Sequence, residues 1–365
     1  MTPKQRLLAA IKGEEVDKLP WSPFLAYYWE SLSANIQHKG QIAFLEEMGA
    51  DPLLRGFQQL FCINRNNCEV RESISLNEKV LTYETPVGIL REKYIFSKAG
   101  YTWFLTEHPV KTEEDFKILT YINENMVLKS DVNQFVIDYN QLGERGLYLP
   151  LIGTEMKTSF QSLVEHWVGT EELVYALMDY PDIVEQCLES MRSNSLRSVK
   201  LSVDSPAEGF IFWEDSSTTN ISPEYYKKYV TPEINEWGKI IHDNNKYLIQ
   251  HACGHINALI NHMGDTNIDM IESISPPPTG NIELWDAKKK LPERIGLIGG
   301  IEPSVFLSSS CEELEQYVNN LINKMGKKHY ILANSDSCPP GVAYEKFTMI
   351  TDIIKRNSCK YRMRY

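Results

Sequence analysis

The chain has little that would suit it to a charged polymer, a membrane or an oxidising exterior. Lys and Arg number 37 against 49 Asp and Glu, a formal charge of -12, so the balance does not attract a phosphate backbone and nucleic acid is not expected as a partner. No apolar run approaches the length that spans a bilayer, so a membrane is not expected either. The opening Met1-Thr-Pro-Lys-Gln-Arg-Leu-Leu-Ala-Ala-Ile is amphipathic and lacks the apolar core and small-residue cleavage site of a signal peptide. The seven cysteines, Cys62, Cys68, Cys187, Cys253, Cys311, Cys338 and Cys359, are odd in number and scattered. That suits a reducing compartment better than a disulfide framework, and a cytoplasmic location is expected. No Cys-x-x-Cys knuckle, internal repeat or low-complexity tract is present, and Gly299-Gly300 alone is too weak a signal for a phosphate site.

At 365 residues and 42% hydrophobic content the chain can bury one large barrel or two average domains. From about residue 145 onward, short β-branched or aromatic runs alternate with segments of helical period. These runs are Leu147–Ile152, Gly209–Trp213, Lys246–Gln250, Ile268–Ile271, Ile295–Ile298 and Tyr330–Ala333. Such alternation predicts a parallel sheet covered by helices. A further strand over Lys18–Leu25 and an eighth near residues 51 to 60 favour a closed (β/α)8 TIM barrel over an open sheet. Residues 75–108 break the pattern: Val80–Leu90 and Glu92–Phe96, with Pro86-Val87-Gly88 at the turn, predict a hairpin inserted over the C-terminal face. The expectation is one domain with an N-terminal helical and hairpin elaboration.

The segment Gln250-His251-Ala252-Cys253-Gly254-His255 carries the strongest chemical signal. In extended backbone His251 and Cys253 leave from one face and can meet one ion. Cys338 also follows a strand, and barrel strands deliver their ends to one rim, so it is the third expected soft ligand. One His and two Cys with an exchangeable fourth position suit Zn2+. Glu272 ends an intervening strand as a fourth ligand or an anchor for His251. Glu214 and Asp215 follow Gly209–Trp213; Glu214 is a candidate for acid/base or orienting work, while Asp215 reads as a loop-solvating carboxylate. Tyr27, Tyr28, Trp29, Phe57, Trp103 and Trp213 are candidates for an apolar lining, against the commoner role of core or lid packing. Ordinary buried thiols and a core histidine are the bland alternative for the ligand set.

With His251-Ala-Cys253-Gly254, Cys338 and the Thr85-Pro-Val-Gly88 hairpin together, the chain resembles the uroporphyrinogen-decarboxylase-like superfamily, in its corrinoid-dependent methyltransferase branch. Arg6–Gly13, Asp17–Pro20 and Ser222–Tyr226 with Pro232 also look like that family, and the likeness covers nearly all of 1–365. The resemblance implies Zn2+ on His251, Cys253 and Cys338, and a methylcobalamin or other corrinoid cofactor supplied by a partner corrinoid protein. The small-molecule partner would be a methyl donor or acceptor, a methyl ether in O-demethylation or a thiol. The decarboxylase branch must neutralise a substrate carrying many carboxylates, yet Trp21–Trp29 contains no arginine. Three rivals remain: a carboxy-lyase of the same fold, a non-catalytic zinc-stabilised docking module for a corrinoid protein, and a redox pair of Cys253 with Cys338.

Overall fold

The computed structural model describes residues 1–98 and 102–362. In chain order the described strands are β1 (Leu53–Gln59), β2 (Phe61–Arg65), β3 (Glu69–Ser75), β4 (Glu78–Thr85), β5 (Gly88–Ser97), β6 (Thr102–Glu107) and β7 (Met126–Ser130). They continue with β8 (Leu147–Leu151), β9 (Gly209–Trp213), β10 (Tyr247–His251), β11 (Met270–Glu272), β12 (Gly296–Ile301) and β13 (Tyr330–Asn334). β1 and β8 to β13 form one parallel sheet in the order β1-β8-β9-β10-β11-β12-β13. Every one of its strands matches a run expected from the sequence, β1 within the expected 51 to 60 and the others with ends moved by a residue or a few.

The expected Lys18–Leu25 strand is reduced to a single bridge, yet that bridge closes the ring. Ser22 donates its N–H to the Leu332 carbonyl at 2.9 Å and Leu332 donates to Pro20 at 2.9 Å. On the other side Asp51 donates to the Trp21 carbonyl at 2.7 Å, and the Leu53 N–H reaches Ser22 Oγ at 3.1 Å. The 20–22 segment is thus the eighth stave between β13 and β1. Alternation along the strands sends Leu147, Leu149 and Leu151 of β8, with Ile211, Ile249, Met270, Ile298 and Ile331, into the barrel interior. Tyr148, Phe210, Phe212, Leu248 and Leu332 face outward to the helices.

Leu7, Ala10 and Ile11 of the helix Pro3–Ile11 join the inner cluster and plug its N-terminal end. That helix starts where it does because Thr2 and Gln5 form a capping box and Pro3 sits in the first turn.

The predicted hairpin is present as β4 and β5, paired from Glu78↔Ile95 to Thr85↔Gly88. It is the centre of a four-stranded antiparallel sheet, β3-β4-β5-β6. Its inner face buries Tyr83, Leu90 and Glu92, and the Tyr83 ring lies 5.5 Å from Trp167, beyond the C-terminal end of β8. Among the described residues no helix is long and apolar enough to cross a membrane.

Candidate metal centre

Each side chain of the site leaves the C-terminal end of a barrel strand, where loops can differ without disturbing the core. Register places His251 of β10 directly beside Trp213 of β9 and Glu272 of β11. His251 Nδ1 consequently lies 3.4 Å from Glu272 Oε2 and 3.2 Å from Ser273 Oγ. Its Nε2 is left facing Asp215 Oδ1 at 3.7 Å, and that same oxygen is 3.4 Å from Cys253 Sγ. Asp215, His251 and Cys253 each offer one ligand atom, all within 4.8 Å of one another.

The structure therefore brings His251 and Cys253 together, with Glu272 behind the imidazole. Cys338 is not in that group. It is fully buried, and its Sγ has the Pro339 carbonyl at 3.9 Å. Its backbone is tied to the 24–28 segment through Phe24 and Tyr28, each at 2.9 Å. The carboxylates after β9 also take different places from those expected. Glu214 points inward, accepting from Thr158 N, Thr158 Oγ1 and Ser216 Oγ at 2.9 Å each, while Asp215 faces the donors.

The electrostatics of the cluster set burial against its charged neighbours. Burial alone would keep the His251 ring neutral, but its hydrogen bond with Cys253 and the carboxylates of Glu272 and Asp215 outweigh burial and push its pKa well above the ordinary value. Burial raises the Cys253 thiol, with His251 pulling the other way. Burial pushes Glu214 up to about 8 against its three hydrogen bonds. Glu272, fully buried, is held below the usual carboxylate range because Arg55 and His251 overcome the burial cost. Arg55 forms an ion pair with Glu272 and lies over the Phe24 ring at 4.8 Å.

A cavity of about 380 Å³ opens over the cluster, walled by Phe24, Tyr27, Arg55, Trp213, Asp215, His251 and Asp336 among others. Of the aromatics expected to line it, Tyr27 and Trp213 do so. Tyr28 and Trp29 pack on Phe44, and Trp103 packs on Phe96 in the inserted sheet. The side chain of Phe57 lies outside the described residues. Sequence reasoning missed Phe24 and Asp336, which sit at or just past the ends of expected strands, where position at a strand's C-terminal end was the available signal, and Arg55, which lies inside β1 and had none.

The donor set fits zinc in kind: an imidazole nitrogen whose other nitrogen is anchored by a carboxylate, a thiol and a carboxylate oxygen converge on one point. The sequence profile of the family described as Uroporphyrinogen decarboxylase (URO-D) matches residues 106–357. A search of curated proteins finds no match. Among solved structures, a methyltransferase from Methanosarcina mazei superposes with a TM-score of 0.65 at 13% identity, over 98% of this chain and 99% of that one. A B12-independent methionine synthase from Shewanella sp. W3-18-1 superposes with a TM-score of 0.46 at 8% identity, over 95% and 98%. At 13% identity the first likeness speaks for the fold.

Proposed function

This chain belongs to the uroporphyrinogen decarboxylase family, and from that membership and the cluster at the barrel mouth we propose a zinc-dependent methyltransferase. It moves a methyl group between a small substrate, a methyl ether donor or a thiol acceptor, and the corrinoid of a partner protein in the cytoplasm. The observation that carries the reading is the convergence of Asp215, His251 and Cys253 within 4.8 Å, with His251 oriented from behind by Glu272. His251 and Cys253 are the proposed ligands common to every version of the site. Asp215 is the proposed third, and Cys338, which the family resemblance implies, is the alternative third or a fourth.

Bound there, zinc would act as a Lewis acid on a sulfur or ether oxygen while the corrinoid cobalt carries the methyl group. The chain's own residues do the remaining work. Glu272 and Ser273 fix the imidazole so that Nε2 faces the cavity. Arg55, with His251, keeps Glu272 ionised although its side chain is buried. Phe24, Tyr27 and Trp213 give an apolar wall to a small methyl-bearing molecule. Glu214 holds the chain at Thr158 and does not line the cavity; its role is to position the β9 end. The reading takes 1–365 as one catalytic domain with the hairpin sheet inserted.

Carboxy-lyase activity on a polycarboxylate is disfavoured by the lining, since its one arginine, Arg55, is already matched by Glu272, and Glu30, Asp215 and Asp336 add negative charge. Metal analysis of the purified protein should find about one zinc per chain, as a single mononuclear site requires, with the content lost in His251→Ala and Cys253→Ser. Methylcobalamin turnover against a panel of thiols, folates and methoxyarenes then separates the methyltransferase from a docking module. Full zinc retention in both variants would sink the metal site.

A further inference from the structure

Three consecutive residues after β8 each take hold of a carboxylate. Lys157 Nζ pairs with Glu165 and lies 3.3 Å from Asp215 Oδ2. Thr158 grips Glu214 through N and Oγ1, and Ser159 grips Glu233 through N and Oγ, all at 2.9 Å. The run Lys157-Thr158-Ser159 therefore sorts the neighbours Glu214 and Asp215, drawing one inward and the other to the rim.

The two oxygens of Asp215 face different partners. Oδ2 faces Lys157, whereas Oδ1 faces Cys253 Sγ at 3.4 Å and His251 Nε2 at 3.7 Å. Lys157 is only 5% exposed, so its ammonium has given up most of its water and depends on these two carboxylates. Its backbone is equally constrained. Trp213 donates to the Met156 carbonyl at 2.7 Å, Gln59 Nε2 donates to the Gly153 carbonyl at 2.7 Å, and a side chain at Gly153 would press on Lys157 backbone and Trp237. A cation on so fixed a stem sets where a flexible carboxylate points.

We propose that Lys157 is a positioning residue of the metal centre: it holds Asp215 through Oδ2 so that Oδ1 alone is presented beside His251 and Cys253, and it thereby sets the affinity for a zinc-class cation. This rests on the metal-site reading above. Its removal should act on affinity, in the range of about 10 to 100-fold usual for a residue that orients a ligand.

The test is zinc affinity by competition with a chromogenic chelator, together with the absorption spectrum of the cobalt(II)-loaded protein, on the full chain. Lys157→Met should weaken zinc binding by about 10-fold or more and alter the cobalt spectrum, Lys157→Arg should restore most of both, and Asp215→Asn should match Lys157→Met. The double variant should be no weaker than Asp215→Asn, because the lysine acts only through that carboxylate. Unchanged or tighter zinc binding in Lys157→Met, or full additivity in the double variant, overturns the proposal. If Lys157→Met does not fold, Lys157→Arg and Asp215→Asn still decide it: Asp215→Asn binding zinc as the parent does rules it out. Loss of zinc in His251→Ala with unchanged binding in Asp215→Asn would refute this inference and leave the metal reading standing.

Discussion

Arg55 is a guanidinium at 1% exposure, matched by Glu272 at the same exposure. Two charges so far from water are tolerated only together, so removing one leaves the other stranded. Arg55→Met is expected to cost about 3 to 5 kcal/mol in urea unfolding, and Arg55→Met with Glu272→Leu should recover much of that. A single variant no less stable than the parent would contradict the pairing. Residues of this kind explain what the sequence shows and hides. His251 and Cys253 are legible because a two-residue spacing in a strand has one geometric meaning. Asp215 is not, since adjacent carboxylates after a strand must part company, and which turns inward is decided by Thr158, 56 residues away in sequence. Cys338 follows its strand as expected, yet the backbone bonds to Phe24 and Tyr28 fix its place, and nothing local signals them.

At the scale of elements, periodicity marks β8 to β13 well because each is a short buried run with helix on both sides. It overextends the 20–22 stave, which lies inside the expected Lys18–Leu25 run but is one bridge long, and it misses the pairing of β2 with β7, which joins distant segments of the chain. It reads the β4–β5 hairpin from its turn but not the flanking β3 and β6. Close approach between elements also constrains β1. Gly56 has φ +78, and a Cβ there would overlap the Trp213 indole. Gly56→Ala is expected to lower stability by about 1 to 3 kcal/mol, and by less in a Trp213→Ala background, as thermal denaturation can show.

The helix Thr231–Asp243 is fastened just ahead of β11 by His242, whose Nε2 lies 3.0 Å from Asp269 Oδ2. That hydrogen bond and the Asp269 charge raise the His242 pKa despite partial burial, with Asp243 helping and Arg294 opposing. Its stabilising effect is full below about 6.5, the ordinary histidine value, and is lost as pH rises through the raised one. The ring is 41% exposed, so the loss is a few tenths of a kcal/mol. His242→Gln should flatten that part of the stability profile, and an unchanged slope would contradict it.

For the molecule as a whole, the barrel depends on a seam. Trp21, at 1% exposure, anchors the stave that joins β13 to β1. Trp21→Ala should cost about 3 to 5 kcal/mol, readable as a lower urea midpoint; a midpoint equal to the parent's would show that the seam carries little weight. The Asn334 side-chain amide locks it, accepting from the Phe24 N–H and donating to the Phe24 carbonyl across 310 residues. A ribosome therefore makes one lip of this seam 310 residues before the other. At about 5 to 20 residues per second the first lip waits roughly 15 to 60 s for its partner. Throughout that wait the nascent sheet has an unsealed border, with the 20–22 stave offering to any neighbouring strand the backbone groups that Leu332 will later pair. Crowded polysomes translating this message thus carry a hazard of strand exchange that ends only once β13 has emerged.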